Sequence, residues 1–544
     1  MSRTILLVLG LLVAAPGVAL AEGADAATAQ IPKSSPVCIR VASLNRVDVV
    51  AKDVAPMLKA VGLDQPAMML EQMPASALLF AQLGLDGATV DAAKPFYVGF
   101  DDGEEPVFVF HAAVGAAWEG AKDLNMGLQA MLRAGTVVCG RPAALAVEAR
   151  GTPTELRGGD VAVDGYIADL VEKHKNAIDE GFAEMAMQGG AAPGLPDKVR
   201  ALILPALGAA KEAVYGSESF GYAATWKDGK LWTEGLLRTK PRSGLRTFLA
   251  RAGEAKDCTD LLAFVPKDGV FVTVDASMAP DWPMKELRTM LDGALGEGQG
   301  KAITTLLSAA APFADHLTGR VVGTFSMTGM MGFSAVNLME VKEGADINGA
   351  LAAWDVAPVN AAFKELGIPL GFKLEKSVAK HGETDLHRMS MVTEDPNLAM
   401  FAAMTQTYYA AEGNKLVSVS SPTAEDDLRQ IIDKIRKGAA VEHPHAKAMA
   451  ALGRTRNFGM TFNIGALKPL MMMVPMFAPG LPPEAMQAMN QIPDELTLST
   501  SLSFTGGDVH WRGDWPVQEV MKIVEKMRPA APADGGAEED EDYR

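Results

Sequence analysis

The sequence predicts an α+β fold of two similar lobes from an internal duplication, each lobe a mainly antiparallel sheet packed by helices. Three pairs of segments carry that expectation. WKDGKLWTEG at 226–235 recurs as FTGGDVHWRG at 504–513, so that at an offset of 278 residues (513 against 235) Trp226 meets Phe504, Gly229 meets Gly507, Leu231 meets Val509 and Gly235 meets Gly513. KPFYVGFDDGEEPVFVFHAAV at 94–114 is matched by GRVVGTFSMTGMMGFSAVNLMEV at 319–341, and VCIRVASL at 37–44 by GVFVTVDA at 269–276. Matches in kind and place rather than in identity are what an old duplication leaves.

Each half opens on a β run, VCIRVASL or GVFVTVDA, followed by a helical pattern containing Pro-Met. The hairpins at 94–114 and 319–341 come next, each followed by a helix. GGDVAVDG before a helix over 165–178 is set against GNKLVSVSSPT before a helix over 423–437. The apolar stripes Ile167, Leu170, Val171, His174 and Leu428, Ile431, Ile432, Ile435 recur at helical spacing in the two. The final hairpins alternate, with Phe220, Tyr222, Ala224 and Trp226 on one face and Leu498, Leu502 and Phe504 in the second copy. Their turns, WKDGK and FTGGD, supply the Gly and Asp that positive φ in a hairpin requires. Each then feeds a helix, striped by Leu245, Phe248 and Leu249 in the first half and by Val517, Val520, Met521 and Val524 in the second. Short Gly-turn connections imply antiparallel pairing, because parallel strands need a long crossover. The lobes are expected at 37–252 and 262–527, with a junction over 253–261.

The N-terminus predicts export. Arg3 precedes an apolar run from Ile5 to Val13, then Pro16 and Ala19-Leu20-Ala21 ahead of Glu22. That is the charge, core and small-x-small order of a signal peptide, 1–21, with the mature chain starting at Glu22. The run is shorter than the ~20 residues a membrane span needs, and no later segment stays apolar for that length, so no transmembrane segment is expected in the mature chain. Residues 22–36 and the acidic 528–544 read as disordered ends. Location in the periplasm or outside the cell follows.

A net charge of −17 argues against nucleic acid and anionic membrane surfaces as partners. Hydrophobic residues make up 48 % of the chain, which calls for large cores or an apolar groove. Three cysteines permit one disulfide and leave one thiol over. Cys38 and Cys139 both fall on β runs of the first half and are the preferred pair, while Cys258 sits at the junction.

Candidate chemistry is sparse. Glu442, His443 and His445 offer donors to a metal, but a proline between two histidines fixes no geometry, and a surface loop is the expectation there. His381, Glu383, Asp385 and His387 read as a hairpin tip. His174, on its helix stripe, reads as a packed histidine. Ser377 and Lys380 match S-x-x-K but lack the accompanying motifs and sit on a strand pattern. Gly296, Gly298, Gly300 and Lys301 lack the Ser/Thr of a phosphate loop. No catalytic residues, cofactor or metal are therefore expected. One stretch stands out: Met471, Met472, Met473, Met476, Phe477, Met486 and Met489 crowd 471–489 between Pro475, Pro479, Pro482 and Pro483. Flexible thioethers suit irregular cores and adaptable apolar surfaces, so Met473, Met476, Phe477, Met486 and Met489 are the candidate ligand contacts. Met57, Met68, Met69 and Met73 form a partial counterpart in the first half.

This arrangement resembles large exported bacterial proteins of unknown function built from duplicated strand-and-helix units, a likeness of architecture that carries over no functional residue. The expected role is a non-enzymatic binding or interaction protein of the envelope, with an envelope protein or an apolar ligand as partner. A periplasmic carrier of lipid or another apolar ligand is the alternative, and a hydrolase with an unrecognised site comes third.

Overall fold

The computed structural model describes residues 30–31, 35–60, 63–100, 105–116, 118, 120–143, 145, 159–191, 197–282, 302, 305–306, 311–328, 332–393, 395, 406–438, 442–468, 491–494 and 496–527. The protein is α+β, and its described strands form one large antiparallel sheet. From the first half come β1 (Val37–Val41), β2 (Phe96–Phe100), β3 (Pro106–His111), β4 (Lys122–Asp123), β5 (Gln129–Arg133), β6 (Thr136–Gly140), β7 (Val161–Gly165), β8 (Ser217–Lys227) and β9 (Lys230–Thr239). From the second come β10 (Val270–Ser277), β11 (Leu317–Thr328), β12 (Gly332–Val341), β13 (Gly371–His381), β14 (Thr384–Val392), β15 (Gln406–Glu412), β16 (Lys415–Ser420), β17 (Phe458–Asn463), β18 (Thr497–Thr505) and β19 (Asp508–Trp515).

The strand pairings give the spatial order β4-β5-β6-β3-β2-β1-β7-β8-β9-β19-β18-β17-β10-β11-β12-β16-β15-β14-β13. One sheet therefore runs through both halves, and its strands cross from one half to the other where β9 meets β19. Among the described residues, β13 forms the sheet's far edge in the second half. The order also corrects one sequence correspondence. β7, from GGDVAVDG, lies between β1 and β8, whereas β16, from GNKLVSVSSPT, lies between β12 and β15; the place beside β10 and β18 belongs to β17.

Helices follow from amphipathic stripes. In the first half α1 (Leu44–Ala60), α2 (Asp64–Gln72) and α3 (Ala75–Leu83) join β1 to β2 and cover one sheet face. Val47, Ala51 and Ala55, at helical spacing on α1, bury against Ile39, Val41, Phe96, Val98, Phe108 and Phe110. Between β7 and β8 run α4 (Ile167–Lys173), α5 (Lys175–Ala191) and α6 (Asp197–Gly216), and α7 (Gly244–Ala250) follows β9, N-capped by the Ser243 hydroxyl. His174 is half-buried at the C-cap of α4.

The second half opens with α8 (Thr259–Leu262) and includes α9 (Ala311–Ala314), α10 (Ile347–Ala353), α11 (Ala357–Leu366), α12 (Ala424–Lys437), α13 (Pro444–Leu452) and α14 (Val517–Met527). On α12 the predicted stripe holds: Leu428, Ile431 and Ile432 are buried over Val322, Leu338, Val417 and Val419. Acidic residues in its first turn, basic ones in its last and Gly438 at positive φ complement the helix dipole and terminate the helix. None of the described helices is long and apolar enough to cross a membrane.

Candidate functional site

Alternation on β18 puts Ser499, Ser501 and Ser503 on one face, and the register sets Ser501 opposite Arg512 and Ser503 opposite His510 of β19. Together with Thr505, the α13 terminus at Leu452, Thr455, and Ala255 of the connector between the halves, Ser501, Ser503, His510 and Arg512 line an open groove of about 270 Å³. One end is fixed. Arg512 pairs with Glu234 of β9 at 2.8 Å and reaches the Leu452 carbonyl at 3.4 Å, while the Ser501 hydroxyl donates to the same carbonyl at 3.3 Å. Among the described residues, Ser503, Thr505 and His510 make no side-chain hydrogen bond to the protein, so two hydroxyls and an imidazole are left to a ligand.

Beneath the same face lies a buried ionic cluster. Asp275 of β10 is fully enclosed; Arg456 Nε donates to its Oδ1 at 2.9 Å, and Arg456 Nη2 lies 2.6 Å from Oδ2 as an ion-pair contact. His445, one residue into α13 after Pro444, donates from Nε2 to Asp275 Oδ1 at 2.9 Å. A carboxylate only accepts, so the other ring nitrogen of the neutral imidazole, Nδ1, accepts from the Thr461 hydroxyl at 2.7 Å. Burial alone would raise the Asp275 carboxyl; the His445 and Arg456 hydrogen bonds outweigh it and hold the group below the usual carboxylate range. Burial holds His445 below the usual imidazole range, against the pull of Asp275. Gly459, opposite Asp275 across the sheet, makes the room: a Cβ there would lie 2.2 Å from Asp275 Oδ1 and 2.5 Å from Arg456 Nε.

A hydroxyl, an imidazole and a carboxylate in a row is the constellation of nucleophilic catalysis, but its setting here is a core. Asp275 and His445 have no exposed side-chain surface, Thr461 is buried, and Arg456 already holds the carboxylate's charge. A substrate carbonyl has no path to Thr461, and an aspartate clamped twice by arginine is a poor stabiliser of an imidazolium.

The sequence candidates fall as follows. Met473, Met476, Phe477, Met486 and Met489 lie outside the described residues. The expectation of a surface loop at His443 and His445 is overturned: both are buried, His443 caps α13 and meets the Pro266 carbonyl at 3.0 Å, and His445 sits in the ionic cluster. His381–Thr384 is the tip of hairpin β13–β14, and His381 pairs with Asp433 of α12 at 2.8 Å. Ser377 and Lys380 lie on β13, Ser377 at an irregularity in its pairing.

The Cys38–Cys139 disulfide is not formed: Cys38, Cys139 and Cys258 are all buried and no disulfide joins any two of them. Cys38 on β1 and Cys139 on β6 have β2 and β3 between them and belong to cores on opposite faces of the sheet, which no side-chain movement can bridge. Burial pushes the thiols of Cys139 and Cys258 up to about 12, which makes them inert. A thiol-reactive chromophore is expected to label none of the three in the native protein and all three after unfolding without reductant; recovery of one thiol instead of three would contradict this.

Among the described residues, no three His, Cys, Asp or Glu side chains come together to hold a metal. Comparisons with family models, with curated proteins and with solved structures found no match.

Proposed function

We propose that the protein is an exported, non-enzymatic binding protein of the bacterial envelope, made of two copies of one nine-strand unit, with the groove over β18 and β19 as its binding surface. The groove is the observation that carries the reading. Its volume falls just below the ~300–1,000 Å³ usual for small-molecule sites, and its walls set hydroxyls, an imidazole and a guanidinium among a similar share of apolar surface, so it suits a small ligand that carries polar groups. The signal-peptide pattern before Glu22 supports the location. Carriage of an apolar ligand would draw on the methionines at 471–489, outside the described residues.

Several observations support two copies. From the joint outward, β9-β8-β7-β1-β2-β3-β6-β5-β4 matches β19-β18-β17-β10-β11-β12-β16-β15-β14 in chain order. Trp226 lies opposite Leu231 as Phe504 lies opposite Val509, which is the offset of 278 again. Hydrogen bonds recur at corresponding places. Asp160 receives the Trp226 amide on its side chain, receives the Ala42 amide on its carbonyl and gives its own amide to Ala224; Asn457 does the same with Phe504, Ser277 and Leu502. Tyr97, Val109 and Val138 of one core correspond to Val322, Leu338 and Val417 of the other. The groove belongs to the second copy: where it has Ser501, Ser503, Thr505, His510 and Arg512, the first has Ala223, Thr225, Lys227, Trp232 and Glu234.

The test is calorimetric titration of the full chain with acetate, phosphate, N-acetylated sugars and dipeptides, alongside a Ser503→Ala/His510→Ala double variant. Binding of one probe class, weakened at least tenfold in the variant at an unchanged melting temperature, is expected. No binding by any probe, or binding that the variant leaves intact, would overturn the assignment of the groove.

A further inference from the structure

We infer that the edges of β9 and β19, with the helices that follow them, form an exchange interface whose partner is a second copy of the same unit, so that the chain is an interlocked dimer made as one polypeptide. The inference rests on the two-copy reading and goes beyond it, since two copies on one chain need not grip each other.

β9 and β19 pair antiparallel over seven residue pairs, with Glu234 opposite Arg512, and these two positions are counterparts at the offset of 278. A strand that pairs antiparallel with its own counterpart forms the isologous contact of a two-fold dimer. Gly235 and Gly513, also counterparts, open the backbone on both sides. A Cβ at 235 would lie 1.8 Å from the Trp511 indole, and one at 513 would lie 2.5 Å from the Trp515 indole nitrogen and 2.7 Å from the Thr233 hydroxyl. Ion pairs cross the seam from Glu234 to Arg512, Lys230 to Asp514 and Arg246 to Asp508. Unpaired, each strand would be a long open edge prone to wrong partners.

The helices then cross in both directions. α7 leaves β9 and rests on β18 and β19 of the other half, where the Phe248 ring packs at a tilt against Trp282 at 5.0 Å and Trp282 likewise against Phe504 at 5.7 Å. α14 leaves β19 and rests on β9 and α1 of the first half, packing Val517 and Met521 around Trp226, Val50 and Met57. Trp226 and Phe504 are counterparts: Trp226 is buried between α1 of its own half and α14 of the other, and half-buried Phe504 meets Trp282 of its own half on the strand that α7 of the other half touches. The turns join in. The Gly229 carbonyl accepts from the Gln518 amide at 3.0 Å, and the Gly507 carbonyl accepts from the Thr239 hydroxyl at 2.9 Å. Reciprocal exchange of a terminal element is the geometry of domain swapping.

The experiment inserts a site-specific protease sequence between Gly253 and Glu254, both exposed, and cuts the folded full-length protein. The two fragments are expected to elute as one particle of the uncut mass and to part only in denaturant; fragments that separate in native buffer would overturn the interlock. A second variant, a chain ended after Pro516, removes α14. Amide exchange is expected to quicken at least tenfold around Val50–Met57 and Trp226 while β10–β12 keep their protection, and unchanged exchange in α1 would overturn the helix crossing. Neither failure touches the two-copy reading, which falls only if an experimental structure gives the halves different strand orders.

Discussion

Asp275→Ala is expected to destabilise the protein by about 3–5 kcal/mol, the usual cost of stripping one partner from a buried ion pair. Arg456 is among the largest fully buried side chains, and its remaining acceptors are the Gly453 and Arg454 carbonyls at 3.1 and 2.8 Å. Without Asp275 its charge stays in the core with no counter-ion, and His445 Nε2 loses its acceptor as well. Asp275→Asn keeps the shape but discards the charge, so it is expected to fall between Ala and the parent. Denaturant unfolding followed by tryptophan fluorescence measures both, and a loss under about 1 kcal/mol for Asp275→Ala would show that the cluster is not the closed core described above.

Asp160→Asn is expected to act in the opposite direction, and only above pH 4. Burial pushes the Asp160 carboxyl up to about 6, against the pull of Arg46 and of the Trp226 amide. In the unfolded chain it titrates near 4. A folded-state value above the unfolded one means that the group's contribution is fully present below about pH 4 and is lost as pH rises through about 6. Two pH units of separation correspond to roughly 3 kcal/mol. Asparagine removes the charge, and on the two-copy reading Asn457 is the amide that fills the counterpart place. Its oxygen accepts the Phe504 amide at 2.7 Å and its nitrogen donates to the Ser277 and Gly253 carbonyls at 3.0 and 3.1 Å. The difference in stability between variant and parent is therefore expected to be near zero at pH 4 and to grow to about 1–3 kcal/mol in the variant's favour at pH 7. Thermal unfolding across that range reads it, and a variant less stable than the parent at pH 7 would mean that the Arg46 contact outweighs the burial of charge.

The sequence disclosed what is local. Hairpins β8–β9 and β18–β19 were legible because alternation, a Gly turn and a following amphipathic helix sit within 35 residues of one another, and the stripe of α12 was legible for the same reason. The joining of the halves was not, because Glu234 and Arg512 leave no shared periodicity in the chain; only the pairing of the two edges reveals it. The cysteine pairing failed because strand register decides which face each thiol enters, and register between β1 and β6 depends on two intervening strands. His445 looked like a loop residue since the proline before it breaks any periodic pattern, yet proline at the first helical turn is a helix start, and the His443 side chain caps it. Asp275, Arg456 and Thr461 are ordinary strand or loop residues in sequence, and only the meeting of β10 with β17 makes them a cluster. The groove has no local signature for the same reason: its walls come from the connector, the end of α13 and two strands. A signal was present, however, in Ser499, Ser501 and Ser503, where a half-buried strand carries polar residues on the face that should be apolar.

Everything proposed about the architecture turns on the β9–β19 seam, and its register can be measured directly. Cysteines placed at Glu234 and Arg512, in a chain whose three buried native thiols stay reduced, are expected to form a disulfide on mild oxidation of the folded protein. Peptide mass spectrometry would then recover the segments around 234 and 512 as one linked species. The pairs 234/508 and 230/512, displaced along the strands by four residues, are expected not to link. Linkage at the displaced pairs, or none at 234 and 512, would contradict the seam and with it the continuous sheet.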